Sequence, residues 1–303
     1  MKKKYYIHIL FFLSFLTVSS CKSQTVIIHQ KESKVTEDFV KIVSIKKSVN
    51  YSTDSENSSY GYSLPKIELK DKAKEHRINV IIGNEVQNTL SSFFSFGDYE
   101  NITVTNNTTE FLVNETIKEL SKKGYEEGRG GYDCGYEIYY NENNLVSFFL
   151  HGEYCVASCY FESGRFTLDV CEEKILKASF FKNTNKLLEL INNKIIESII
   201  QIKTDFETKK EYHDYEIRIN YLNQINLFLK DKDNYVFDKL PEQIFFIGKE
   251  NVEGDDDGIE FLYQPMIFES YKDKMLNPEP DLFFTFKELE PYLTDKFKKK
   301  IGI

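Results

Sequence analysis

Residues 136–150 carry the strongest β signal in the sequence. YEIYY and LVSFFL, both rich in aromatic and β-branched residues, flank a turn that contains three asparagines. Two such runs around an asparagine turn predict an antiparallel hairpin. A second hairpin is predicted over residues 159–170, where Ser163-Gly164 would form the turn.

Amphipathic helices are predicted on both sides of these hairpins. Apolar residues recur at helical spacing in segments 72–94, 109–123, 183–202 and 214–229. Short strands at 243–247, 259–264 and 282–286 follow, and two helical turns end the chain. Helices around clustered antiparallel hairpins predict an α+β fold, an antiparallel sheet of hairpins covered by helices.

The beginning of the chain has the layout of an export signal. Lysines at positions 2–4 precede an apolar run at 7–18, which is too short to span a bilayer comfortably. Val18-Ser19-Ser20-Cys21 resembles the bacterial lipobox, in which a peptidase cuts before a lipidated cysteine. We therefore predict that residues 1–20 are a lipoprotein signal peptide and that acyl chains, palmitate among them, anchor Cys21 in a membrane. The alternative is an ordinary secretory signal with a cysteine near its cleavage site.

The sequence predicts a polar spacer before the folded domain. Lys, Ser, Thr, Asp and Asn dominate residues 21–59, where only a weak strand at 39–45 is predicted, and the α+β domain is expected over residues 60–303. The formal net charge of −9 argues against nucleic acid as a partner. The expected location is the bacterial cell envelope, with the outer membrane preferred and the domain facing the periplasm or the cell surface.

Four cysteines follow the predicted lipidation site: Cys134, Cys155, Cys159 and Cys171. An even number within a short stretch of an exported protein predicts two disulfides. The symmetry of the two predicted hairpins favours Cys134 near Cys155 and Cys159 near Cys171, although three connectivities are open. Zinc binding and free thiols are the alternatives, and no paired C-x-x-C spacing supports zinc.

No motif assigns a catalytic residue, a cofactor site or a metal site. The sequence has neither H-E-x-x-H nor G-x-S-x-G, and the glycine-rich loop at 128–131 lacks the Gly-Lys-Ser/Thr of a phosphate loop. Asp255-Asp256-Asp257 offers carboxylates for calcium, but consecutive side chains point in different directions, which favours a solvated turn. The 48 acidic residues leave open the paired carboxylates of a glycoside hydrolase.

Two longer segments carry a family resemblance. Residues 135–181 contain GYEIYYNENNLVSFFLHGEY and RFTLDVCEEKILKASFF, and residues 261–293 read FLYQPMIFESYKDKMLNPEPDLFFTFKELEPYL. These segments resemble a bacterial envelope family of unknown function, the domain shared by the anti-sigma factor RsiV and the peptidoglycan deacetylase PdaC. Cys171-Glu172-Glu173 departs from the family's Thr-Gly turn.

The resemblance implies a domain that binds a ligand and does not transform it. In RsiV the domain binds lysozyme, in PdaC it is an accessory to catalysis, and no catalytic residue carries over to this chain. We therefore expect a lipid-anchored envelope protein with a non-catalytic domain for a protein, a peptidoglycan fragment or another glycan, which aromatic side chains would contact. A cell-wall hydrolase with paired carboxylates and a purely structural envelope lipoprotein are the alternatives.

Overall fold

A six-stranded sheet is the larger of two sheets in the computed structural model, which describes residues 39–52, 57–94, 103–123, 132–155, 159–208, 215–232, 236–252, 256–263 and 280–303. Its strands lie side by side in chain order. They are β1 (Lys41–Ser52), β2 (Asn57–Glu68), β3 (Tyr132–Glu142), β4 (Leu145–Cys155), β5 (Cys159–Asp169) and β6 (Lys174–Ile175). Neighbouring strands are antiparallel except β2 and β3, which are parallel.

Two helices cover one face of this sheet. Parallel strands need a crossover connection, and the chain between β2 and β3 supplies it as α1 (Lys72–Leu90) and α2 (Thr108–Lys123). The inward side of α1 is formed by residues four positions apart, from Ile78 to Leu90, and they pack with Leu64 and Phe148 of the sheet in one hydrophobic core. Both helices were predicted from their apolar spacing, and both predictions are confirmed.

Side chains at the beginning of α1 fix the helix to the sheet. The Asp71 carboxylate accepts hydrogen bonds from the Ala73 and Lys74 amides, as an N-cap residue does. Two turns into the helix, the buried Asn79 amide donates to the Ile67 carbonyl at 2.8 Å and accepts from the Ile67 amide at 2.9 Å. The end of β2 therefore has its backbone groups satisfied by the helix, where β3 no longer pairs with it.

A smaller sheet and further helices form a second layer. The sheet contains β7 (Ile244–Ile247), β8 (Gly258–Phe261) and β9 (Phe283–Thr285), all antiparallel. The helices are α3 (Thr184–Thr208), α4 (Tyr215–Lys230), α5 (Phe286–Leu289) and α6 (Asp295–Ile301). Together with Tyr140 and Leu145 of the large sheet, they enclose a second hydrophobic core.

The small sheet crosses the face of the large sheet that α1 and α2 leave uncovered. The Phe246 amide donates to the Thr167 hydroxyl at 3.1 Å, and that hydroxyl lies 2.8 Å from the Ser147 hydroxyl. The Gly248 amide donates to the Tyr139 carbonyl at 2.6 Å. These bonds place the β7 edge across the ends of β3, β4 and β5 that contain Tyr139, Ser147 and Thr167. The opposite ends of these strands lie beyond the small sheet.

The first predicted hairpin is confirmed and the second is wrong. Asn143 and Asn144 have φ values of 55° and 59°, the left-handed conformation that a tight turn between β3 and β4 requires. At the second site, β5 continues straight through Ser163-Gly164, and Gly164 pairs with Leu150 of β4. A Cβ atom at Gly164 would lie 2.5 Å from the Thr89 hydroxyl oxygen, so this glycine permits the approach of α1 and does not form a turn.

The predicted domain boundary at residue 60 also needs correction, because it falls inside β2. Residues 41–52, assigned to the spacer, form β1 and pair with β2 along their whole length. The segment reads as polar because β1 is an edge strand, with the exposed residues Lys41, Lys46 and Lys47 along it. The predicted signal peptide (1–20), Cys21 and the spacer up to residue 38 lie outside the described residues.

The overall class is α+β, as predicted, with a mostly antiparallel large sheet and helices on its faces. The short strands expected near 243–247, 259–264 and 282–286 correspond to β7, β8 and β9. Among the helices that the structure describes, none combines the length and the apolar character that crossing a membrane demands.

Candidate binding site

The cysteines do not form the predicted pairs. Cys134 is a free, buried thiol on the helix side of β3, opposite Gly152, and Cys171 is a free, exposed thiol beyond the end of β5. Because β5 is one continuous strand, it separates Cys159 from Asp169 by about 33 Å, and Cys171 lies in the turn beyond Asp169. The pairs Cys134–Cys155 and Cys159–Cys171 are therefore corrected: the misplaced turn at Ser163-Gly164 had brought the second pair together.

The backbone register instead places Cys155 directly opposite Cys159 at the end of the β4–β5 pair. Opposite residues of an antiparallel pair have Cα atoms about 4.5–5.5 Å apart, which a disulfide can bridge.

In the native protein isolated without reductant, we expect peptide mass mapping to find Cys155 linked to Cys159. We also expect Cys171 to be alkylated quickly and Cys134 only after unfolding, because burial raises the pKa of the Cys134 thiol. A Cys134–Cys171 peptide would contradict both the register and this prediction.

Among the described residues, no three side chains of His, Cys, Asp or Glu lie close enough together to hold a metal ion. In the acidic run at 255–257, Asp255 lies outside the described residues. The Asp257 carboxylate accepts a hydrogen bond from the Lys249 amide at 2.7 Å, which closes the loop between β7 and β8. Asp257 thus has a structural role in this loop.

Among the described residues, a distinctive surface lies where the small sheet meets the face of the large sheet opposite α1 and α2. Residues of this face point away from α1 and α2, because their neighbours in sequence, such as Phe148, Leu150 and Phe166, fill the core on the other side. We call the surface the aromatic ledge. It consists of Tyr139, Phe149, His151, Arg165, Phe245 and Glu260.

Aromatic rings and one guanidinium group form the ledge. The Tyr139 ring lies 6.1 Å from the Phe149 ring and 5.2 Å from the Phe245 ring, measured between centroids. The Arg165 guanidinium lies over both phenylalanines, 5.2 Å from the Phe149 centroid and 5.6 Å from the Phe245 centroid. A planar cation between aromatic faces is held by cation–π attraction, so these side chains are preorganised.

A salt bridge fixes the direction of the guanidinium. Arg165 Nη1 donates to Glu260 Oε2 at 2.7 Å, and both side chains remain partly exposed. The pair joins β5 of the large sheet to β8 of the small one. The ledge therefore presents a cation, a carboxylate and the partly exposed rings of Tyr139 and Phe149 at a corner between two sheets, with the buried Phe245 ring beneath them.

A β-bulge and a glycine shape this corner. The register between β3 and β4 shifts between Ile138 and Tyr140, so Tyr139 is the extra residue of a bulge. Its carbonyl is free to accept bonds from the Gly248 amide and, at 3.0 Å, from the Asn251 side chain. The bulge thus attaches the small sheet and turns the Tyr139 ring into the ledge.

The His151 ring extends the aromatic surface on the other side of Phe149, in space that Gly135 leaves free. A Cβ atom at Gly135 would lie 2.8 Å from the His151 ring, so the missing side chain lets the imidazole lie over β3. In that position the His151 ring is stacked with Phe149 at 5.7 Å and an interplanar angle of 30°. Beyond it, Phe161 on the same face of β5 is 57% exposed.

The electrostatics of the ledge keep its tyrosine neutral. Burial, and after it the negative charge of Glu137, raise the pKa of Tyr139. The Tyr139 hydroxyl hydrogen-bonds the Glu137 side chain, and this bond also raises the pKa of Tyr139. A surface with flat apolar rings, a tyrosine hydroxyl, one guanidinium and one carboxylate can bind a ligand that has both apolar faces and many hydroxyl groups.

The ledge was not predicted from the sequence, which named no individual aromatic residue. Its members lie on β3, β4, β5, β7 and β8, and only the register brings them together. The one available signal was the strand LVSFFL, in which Phe149 alternates with the core residues Phe148 and Leu150.

No protein-family profile matches this chain, and no curated protein matches it either. Among solved structures, the match to a DUF3298 family member from Bacteroides fragilis has a TM-score of 0.45 and 12% identity, over 84% of this chain and 94% of the other. A DUF3298 family protein from Pseudomonas aeruginosa PAO1 matches with a TM-score of 0.44 and 9% identity, over 84% and 95%.

Neither description names an activity, a ligand or a partner.

Proposed function

We propose that this protein is a lipid-anchored component of the bacterial cell envelope whose α+β domain binds a cell-wall glycan at the aromatic ledge without transforming it. The aromatic ledge is the observation that carries the proposal. The lipobox-like sequence before Cys21 supports the envelope location, and the partial exposure of Tyr139, Phe149 and Arg165 supports access by a long polymer.

The chemistry of the ledge suits a sugar chain. A pyranose ring has an apolar face of C–H groups, which can stack on Phe149, Tyr139 or His151, and hydroxyl groups at its rim, which need polar partners. Arg165 and Glu260 provide a donor and an acceptor at the edge of the rings. Arg165 can also pair with the carboxylates that wall glycans and their peptides carry.

Replacing Phe149 or Arg165 by alanine is expected to weaken glycan binding. Each change removes either a stacking surface or the cation that holds the two phenylalanines, and loss of one such anchor costs about 1.4 kcal/mol, or a factor of about ten in the dissociation constant. The measurement is co-sedimentation of the detergent-solubilised full-length protein with purified peptidoglycan sacculi, over a range of sacculus concentrations.

Phe111→Ala is the matched control. Phe111 is 46% exposed on α2, which covers the opposite face of the sheet, so removing its ring should leave co-sedimentation unchanged. Equal binding by wild type and both ledge variants would contradict the proposal. Release of soluble fragments from the sacculi by the wild-type protein would show hydrolysis, against a purely binding function.

Lipid attachment at Cys21 can be measured separately from glycan binding. Cells that express the wild-type protein with labelled palmitate are expected to yield a labelled band, and cells that express Cys21→Ala are expected to yield none. Recovery of unlabelled, full-length wild-type protein from the cytosol would remove the proposed location but would leave the ledge assay unaffected.

A further inference from the structure

A second concave site lies on the helix side of the large sheet, away from the aromatic ledge. It is a groove of about 590 Å³ between α1 and the segment 173–179, which contains β6. This volume is within the range of about 300–1,000 Å³ typical of small-molecule sites. Val80, Ile81, Val104 and Ile175 provide its apolar walls.

Most charged groups in the lining already have partners of opposite sign. Glu173 forms a two-point salt bridge with Arg77, in which Arg77 Nη2 donates to Glu173 Oε1 at 2.8 Å. At the exposed rim, Lys174 lies 3.5 Å from Glu172, and Lys177 lies 3.8 Å from Glu242. The positive and negative charges of the rim therefore largely cancel.

Glu85 differs from the other charged groups. It is half-buried in the groove, and among the described residues no lysine, arginine or histidine forms an ion pair with it. Its single described polar contact is a long one, with the Asn84 side-chain amide at 3.4 Å from Oε1. Burial accordingly raises the pKa of the Glu85 carboxyl, since little around it compensates the loss of water.

An uncompensated carboxylate in an apolar groove specifies a complementary ligand. A cation would recover the interaction energy that Glu85 lacks, and an aliphatic body would cover Val80, Ile81, Val104 and Ile175. We propose that this groove binds small ligands made of a primary ammonium group on an aliphatic body, with the ammonium on Glu85 and the aliphatic part between α1 and β6. The site is independent of glycan binding, because the ledge lies on the opposite face of the sheet.

Probes of one length and different head groups test the proposal. The full-length protein in detergent is titrated with n-hexylammonium chloride, 1-hexanol and sodium hexanoate, and binding is followed by NMR shifts of the backbone amides. We expect hexylammonium to shift the amides of Ile81 and Ile175 and to bind at least tenfold more tightly than hexanol. Hexanoate is expected to bind more weakly still, because Glu85 repels it.

Glu85→Gln is the decisive variant, with Glu189→Gln on the exposed side of α3 as its matched control. Glutamine has the same shape, and removing the charge lowers the cost of burial above the carboxyl pKa, so the variant should fold. Hexylammonium affinity should fall at least tenfold in Glu85→Gln and stay unchanged in Glu189→Gln. Unchanged affinity in Glu85→Gln, tighter binding of hexanoate, or no shift at groove residues with any probe would each overturn the proposal.

Discussion

Replacing Phe246 by alanine is expected to lower the free energy of unfolding by about 3–5 kcal/mol. Phe246 is fully buried in β7, at 0% exposure, and its ring is surrounded by other rings. It contacts Tyr140, Phe180, Phe286 and Phe297 at centroid distances of 5.4–6.2 Å and interplanar angles of 63–88°. Removal would leave a cavity lined by rigid rings, which cannot close around the smaller side chain.

Equilibrium unfolding in urea measures this effect. Phe246→Ala should lower the transition midpoint while the slope stays close to that of the wild type. Phe111→Ala, which removes the same atoms from an exposed position, should change the free energy of unfolding by less than about 1 kcal/mol. If both variants lose the same stability, the second core does not depend on the Phe246 ring as we describe.

Removing the Lys300 ammonium is expected to destabilise the protein by about 3 kcal/mol. Lys300 of α6 donates to Asp169, which is only 4% exposed at the end of β5 and also accepts a hydrogen bond from the Glu172 amide. A buried carboxylate that loses its counter-charge retains the full cost of its burial. Lys300→Met keeps most of the apolar stem of the lysine, so the loss of stability reports on the charge.

A double-mutant cycle separates the pair from its surroundings. Asp169→Asn combined with Lys300→Met should recover much of the stability lost in Lys300→Met, since no unpaired charge is then buried. As an exposed reference, Lys182 pairs with Asp295 at 3.3 Å, and the Asp295 side chain is 94% exposed. Lys182→Met should cost less than about 1 kcal/mol, and an equally large loss there would show that burial does not set the difference.

Local patterns were sufficient to predict the helices and the first hairpin. The stripes of α1 and α3 repeat every three or four residues, because one side of each helix faces a core. The asparagine turn at 143–144 was recognisable because the left-handed conformation itself favours asparagine. In both cases the constraint acts between residues that are close in sequence.

Two predictions failed, the turn at Gly164 and the spacer at 41–59, because glycine and polar residues occur in strands as well as in turns and spacers. Gly164 was taken for a turn glycine, but it lies in the middle of β5, where Thr89 of α1 needs the space. The segment 41–59 was taken for a spacer because an edge strand needs little apolar surface. In each case a partner that is distant in sequence determines the outcome, and a single sequence does not show which partner that is.

The candidate site was the least predictable part for the same reason. Arg165 became part of the ledge only when register placed it opposite Phe149 and the small sheet brought Phe245 and Glu260 against it. The bulge at Tyr139 adds a change of direction that the alternation of residues in β3 does not reveal. The sequence predicted that aromatic side chains would contact a ligand, but it did not indicate which ones. The fold determines which rings take part.

The parallel contact between β2 and β3 has a consequence for how the chain acquires its structure. The strand pairing between β2 and β3 covers only three residue pairs, from Tyr60↔Tyr132 to Tyr62↔Cys134. The hairpin and the β3–β5 meander can each form from neighbouring residues, whereas the β2–β3 pairing must close the long crossover that contains α1 and α2. We therefore expect the two pieces of sheet to join late in folding.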